Sequence, residues 1–109
     1  MTDTLTRFYQ GAVAASGTSL TPVVPANTTY TVRNIVLTNN AGGGTLAASV
    51  YINSISNNNV IVPSGSLIVP AGYLQTTDFF VLAAGEKLVG VLASGTSGLT
   101  ASVHGIITA

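Results

Sequence analysis

The chain has 109 residues, no cysteine, and three basic against three acidic side chains, so its formal charge is zero. A chain of this length is enough for one domain, residues 1–109, that hides roughly two-thirds of its unfolded surface without disulfides or thiolate-bound metals. Asp3, Arg7, Arg33, Asp78, Glu86 and Lys87 lie scattered along it. Nucleic acid and anionic membrane surfaces are recognised by clustered Lys and Arg, so neither is expected as a partner.

Neutral polar groups replace the missing charges: 15 Thr, 10 Ser and 8 Asn. Low charge removes the repulsion that keeps copies of a protein apart. The surface therefore suits packing against copies of itself or a host lattice, with a Thr-rich monomer as the plain alternative. No run approaches the ~20 apolar residues that span a bilayer, and Met1–Arg7 lacks the charged-then-apolar build of a signal peptide. The expectation is a protein that begins near Met1 and is made in a cytoplasm.

In chain order, Met1 to Thr6 reads as a flexible or docking arm, and Arg7 to Ala14 as a first strand. Ser16-Gly17-Thr18 is a turn. Ser19 to Val24 is a short strand whose Pro22 cannot donate to a ladder, which marks an edge or a strand start. Pro25-Ala26-Asn27 then turns the chain into Tyr30 to Asn39, the longest strand-like run. It is dense in Thr, Val, Ile and Tyr, residues that fit a pleated surface. Strict alternation would put Ile35 and Leu37 on one face with Arg33 and Asn39, and Tyr30, Val32 and Val36 on the other. Apolar residues on both faces suit a strand in mid-sheet.

Thr45 to Asn53 alternates cleanly, with Leu46, Ala48, Val50 and Ile52 facing one way, as a half-buried strand does. Val60 to Val62 and Leu67 to Val69 read as two short strands around Pro63-Ser64-Gly65. Val69-Pro70-Ala71-Gly72 resembles the earlier Val24-Pro25-Ala26-Asn27, and both fit type I turns at sheet corners. Tyr73 to Leu82, Lys87 to Ser94 and Leu99 to Thr108 follow as strands, the last with Leu99, Ala101, Val103 and Ile107 on one face. No segment shows helical spacing with caps at both ends. The fold class is all-β: an antiparallel β-sandwich of about seven to nine short strands, jelly-roll or immunoglobulin-like.

Chemistry finds little purchase. His104 is the sole histidine, and with no cysteine and three scattered carboxylates it makes a poor zinc site, which wants three or four ligands brought together, so it reads as a surface or interface histidine. Ser102, His104 and Asp78 could compose a hydrolytic triad, but there is no nucleophile elbow. Asp78 with Glu86 would be the one carboxylate pair for glycoside hydrolysis, yet Glu86 reads as a solvated turn residue. Gly42-Gly43-Gly44 lacks the spacing and following helix of a phosphate cradle. Asn27-Thr28-Thr29 matches the short glycosylation pattern. The expectation is a non-enzyme with no cofactor and no bound metal. Phe8 and Tyr9, an adjacent aromatic pair, and Tyr51 and Ile106, which break the polar rows of their strands, are the candidate interface residues.

Several motifs then join. Phe8-Tyr9-Gln10-Gly11, the run from Pro25 through Tyr30 to Asn39, Ala84-Gly85-Glu86-Lys87-Leu88, and Ser102-Val103-His104-Gly105-Ile106 together resemble small virion proteins of tailed bacteriophages. The resemblance implies a β-sandwich built into a particle, with no enzymatic residues, and often a trimer. It implies a capsid decoration or cement protein that clamps the major capsid protein, located in the virion after synthesis in the host bacterial cytoplasm. A tail, neck or fibre component is the alternative. A carbohydrate-binding module, stacking sugars on Tyr51, Tyr73 or Phe79, is the reading from another class.

Overall fold

The computed structural model describes residues 2–40, 44–53, 58–76, 80–94 and 98–109. The chain forms β1 (Asp3–Ala12), β2 (Thr18–Ser19), β3 (Thr29–Asn39), β4 (Leu46–Asn53), β5 (Asn58–Ile68), β6 (Tyr73–Thr76), β7 (Phe80–Leu82), β8 (Lys87–Ser94) and β9 (Leu99–Thr108). No helix occurs among the described residues. A five-stranded sheet runs β1-β9-β3, with β6 and β7 laid end to end along the far edge of β3. The four-stranded sheet runs β2-β8-β4-β5, and every pairing is antiparallel.

The core lies between the sheets. Val32, Ile35, Leu37, Val103 and Leu82 meet Ala48, Val50, Leu88, Leu92 and Val62 from the opposite layer. Leu20 and Val24 close one side and are almost fully buried. The protein is thus a β-sandwich of two antiparallel sheets, with β3 in mid-sheet between β9 and the β6–β7 pair.

Two bulges set the phase of the five-stranded sheet. In β3 the register with β9 shifts between Val32 and Asn34, so Arg33 is an extra residue. Tyr30 and Val32 are consequently buried together with Ile35, Leu37 and Asn39, where uninterrupted alternation would have put them on the opposite face. In β1 the register shifts between Arg7 and Tyr9, making Phe8 the extra residue. The two bulges meet at His104 of β9, that of β1 lying across Val103–His104 and that of β3 across His104–Gly105. Gly105 is required there: a Cβ on it would stand 2.1 Å from the Thr31 carbonyl oxygen and 2.7 Å from the Phe8 ring.

Asn39 ties the layers together. Fully buried at the end of β3, it donates from Nδ2 to the carbonyls of Gly44 and of Ile68 in the other sheet, each at 2.9 Å. Thr21 does similar work beside β8: its hydroxyl accepts the Leu88 N–H at 3.0 Å and donates to the Pro22 carbonyl. Buried polar groups of this kind hold position because leaving one unmatched costs more than a made bond gains.

Other elements depart from the sequence expectation for local reasons. Residues 3–6, expected as an arm, form the start of β1 against Gly105–Thr108, and Thr2 exchanges backbone hydrogen bonds with Ala109. The two short strands expected around Pro63 are one strand, β5, at the sheet edge, where a residue without an N–H is tolerated. The strand expected over Ser19 to Val24 shrinks to β2, because Leu20 and Thr21 turn into the core. Ala71 adopts φ 60 and Gly72 donates to the Val69 carbonyl at 2.9 Å. A left-handed residue in the third position makes that corner type II rather than type I.

Gly105→Ala should destabilise the fold by about 3 kcal/mol or more, since backbone rather than a pliable side chain blocks the methyl. Denaturant unfolding of the variant checks this, and a loss below ~1 kcal/mol would contradict the close approach.

Candidate binding surfaces

Residues paired across an antiparallel ladder share a face, so the register reads out what each outer surface carries. On the five-stranded sheet, Leu5, Ile106, Thr31 and Val81 form one row across β1, β9, β3 and β7. Leu5 is 83% and Val81 55% exposed. The next row is Arg7, His104 and Asn34, with the bulged Arg33 beside it. Beyond it come Gln10, Ser102, Val36 and Gln75, then Ala12, Thr100, Thr38 and Tyr73. Polar pairs tie this face together: Gln75 donates to Asn34 Oδ1 at 3.1 Å and Asn40 to Thr100 Oγ1 at 3.0 Å.

The four-stranded sheet presents a different surface. Val60, Tyr51, Val89 and Ser19 form a row across all four strands, and Leu67 pairs with Ala47 in a second. Val60 is 61% and Leu67 68% exposed, and both lie on β5, whose far side pairs with nothing among the described residues. The one charged side chain within these four strands is Lys87, at the first position of β8, where its Nζ approaches Ser19 Oγ at 3.3 Å. The opposite lateral side of this sheet carries the segment Thr21–Val24, held by the Val24 N–H donating to the Glu86 carbonyl. Val23 there is exposed.

Two depressions open on the five-stranded face. One of about 380 Å³ is lined by Leu5, Thr6, Arg7, Arg33, His104 and Gly105. A second of about 350 Å³, between Gln10, Val36, Asn40 and Ser102, is neutral.

The aromatic candidates divide. The Phe8 and Tyr9 rings pack against the core; Phe8 lies 4.9 Å from the Tyr30 ring, and the Tyr9 hydroxyl donates to the Ala12 carbonyl. Tyr51 is half-buried on the outer face of β4, and Ile106 half-buried on the outer face of β9. Leu5, Val60, Leu67 and Val23 were not legible beforehand as surface apolar groups, because exposure of a single Leu or Val follows from which face a strand turns outward.

Only some of the catalytic candidates lie among the described residues. Ser102 and His104 are neighbours on one face, 3.5 Å between Oγ and Nδ1, but Asp78 lies outside the described residues. Glu86 is committed to its own turn, accepting the Ala83 N–H at 2.7 Å. No group of three or more His, Asp or Glu residues comes together among the described residues.

No protein-family model and no curated protein sequence matches the chain. Among solved structures it is similar to the NLP core of Drosophila, described for its pentamer formation and histone binding. The match covers 95% of this chain and 100% of that one, with a TM-score of 0.54 and 15% sequence identity. At that identity the likeness shows the β-sandwich fold. The pentamer formation and histone binding are properties of that neighbour.

The phage-virion expectation is overturned by this comparison: the fold matched is that of a pentamer-forming, histone-binding core, not of a virion protein. Capsid decoration, tail, neck and fibre roles, a trimer, the major capsid protein as partner, and location in a virion after synthesis in a bacterial cytoplasm all fall with it. The motifs behind that resemblance answer to this sandwich's own packing. Asn39 bridges the sheets, Glu86 closes its turn, and Gly105 admits a close backbone approach. Such features mark what a β-sandwich needs. Of the residues offered as a carbohydrate-stacking platform, Tyr51 and Tyr73 stand on different sheets, and Phe79 lies outside the described residues.

Phe8→Ala should cost about 3 kcal/mol in chemical unfolding, having emptied space beside Tyr30 and Gly105. Leu5→Ser, three residues away on the outward face, should stay within ~0.5 kcal/mol of the parent. Equal losses for the two would contradict the assignment of faces.

Proposed function

We propose that the protein is a non-enzymatic assembly module that joins copies of itself side by side into a closed ring, with the four-stranded sheet supplying the contacts. The observation that carries this reading is the exposed apolar groups on both lateral sides of that sheet, with no charged residue in β5. The β5 side offers Val60 and Leu67, bordered by Tyr51; the opposite side offers Val23. Pro63 and the register shifts against β4 interrupt the free backbone of β5, so what this uncharged edge offers a neighbour is its exposed apolar side chains rather than a continued ladder. Phe8, Tyr9 and Ile106 stand outside this contact.

A ring requires a head-to-tail contact between two different patches, one on each side of the subunit. The pentamer of the structurally similar Drosophila core supports a ring of five as the arrangement to look for. Its histone binding is not carried over. Three acidic side chains, with Asp3 accepting a hydrogen bond from Thr108 and Glu86 closing its own turn, generate no field for a strongly cationic partner.

The paired variant V60K/L67K and the single variant V23K should each yield monomers with an unchanged β-sheet circular dichroism spectrum, while the parent sediments as an oligomer. Mixing the two variants should give a dimer and nothing larger, because each retains the patch the other lacks. Monomeric parent protein, or V23K that still assembles fully, would overturn the reading.

A further inference from the structure

We infer that the depression between β1, β9 and β3 is a binding site for a small organic anion, a carboxylate or phosphate group carried on an apolar body. The chain has three Lys and Arg residues and one His, and the fold brings two of the three, Arg7 and Arg33, together with His104 around one hollow of about 380 Å³. That size lies within the range of small-molecule sites. Arg7 and His104 are direct cross-strand partners on the same face, so a guanidinium and an imidazole converge on one spot of the outer surface.

The backbone is shaped for the same purpose. The bulges at Phe8 and Arg33 flank one stretch of β9 from both sides, and bulges re-aim side chains next to binding sites. Phe8 turns inward at its bulge, leaving Arg7 on the outer face. Gly105 supplies a floor without a side chain, and Leu5 supplies an apolar wall. Arg7 and His104 carry the recognition; Arg33, which has an interaction of its own, stands at the rim. A planar guanidinium can grip either oxyanion with two parallel N–H bonds. Among the described residues no carboxylate lines the hollow: Asp3 accepts the Thr108 hydroxyl at 2.8 Å, and Glu86 belongs to a turn leading into the other sheet. The site faces away from the four-stranded sheet, so it remains open whether or not copies assemble.

Titration of the full chain with benzoate and, separately, phenyl phosphate, followed by amide chemical shifts, tests this. Either anion should move the amides of Thr6, Arg7, His104 and Gly105, and the stronger response tells carboxylate from phosphate recognition. Arg7→Gln, which removes the charge and one of the two parallel N–H bonds, should weaken binding about tenfold or more, and His104→Gln should weaken it in the same direction. Neutral benzyl alcohol should leave these amides in place. Silence with both anions, equal shifts with benzyl alcohol, or undiminished affinity in both folded variants would overturn the inference. Because these readouts are independent of oligomer size, failure here is separable from failure of ring assembly.

Discussion

The approach of β3 to Gly105, so close that no side chain fits between them, governs how the five-stranded sheet is put together. A strand can come that near only where its neighbour has no Cβ, and the ladder accommodates the contact by gaining a residue on each side of β9. The two added residues have opposite fates. Phe8 joins the core and packs on Tyr30, while Arg33 is exposed at the rim of the cationic hollow. One steric requirement in β9 thereby shapes both the core at that end of the sandwich and the outer surface above it.

The second organising feature is the division of charge between the layers. Asp3, Arg7 and Arg33 all sit on strands of the five-stranded sheet, whereas the four-stranded sheet has Lys87 alone, at its margin. Desolvating a neutral Thr, Ser or Val surface costs far less than desolvating unpaired charge. The four-stranded sheet is therefore the inexpensive surface to cover with another subunit. The other sheet keeps the groups that prefer water or an ionic ligand. The proposed ring contacts and the proposed anion site thus fall on different sheets of one small sandwich and draw on different side chains.

Much of the fold was legible in the chain. β8 and β9 coincide with the expected Lys87–Ser94 and Leu99–Thr108, and β3 begins one residue before the expected Tyr30. These strands carry dense β-branched runs between turn residues, a local signal. What escaped was non-local. Arg33 is an ordinary alternating residue until the register with β9 is known, so the faces of Tyr30 and Val32 were inverted by reading through it. Pro63 reads as a break unless β5 is known to be an edge. The convergence of Arg7, Arg33 and His104 depends on pairing strands from the beginning, middle and end of the chain, which no local pattern records. Function was misread for a related reason: Asn39, Glu86 and Gly105 are conspicuous as motifs, but their roles are internal to the sandwich.

The division of the surface is tested most directly by covalent footprinting of the parent protein across a concentration series, read residue by residue. Labelling of Val23, Val60 and Leu67 should fall as concentration rises, while labelling of Leu5 and His104 on the opposite sheet stays constant. Protection of Leu5 and His104 with Val60 and Leu67 left open, or no concentration dependence at any of the five, would contradict the account.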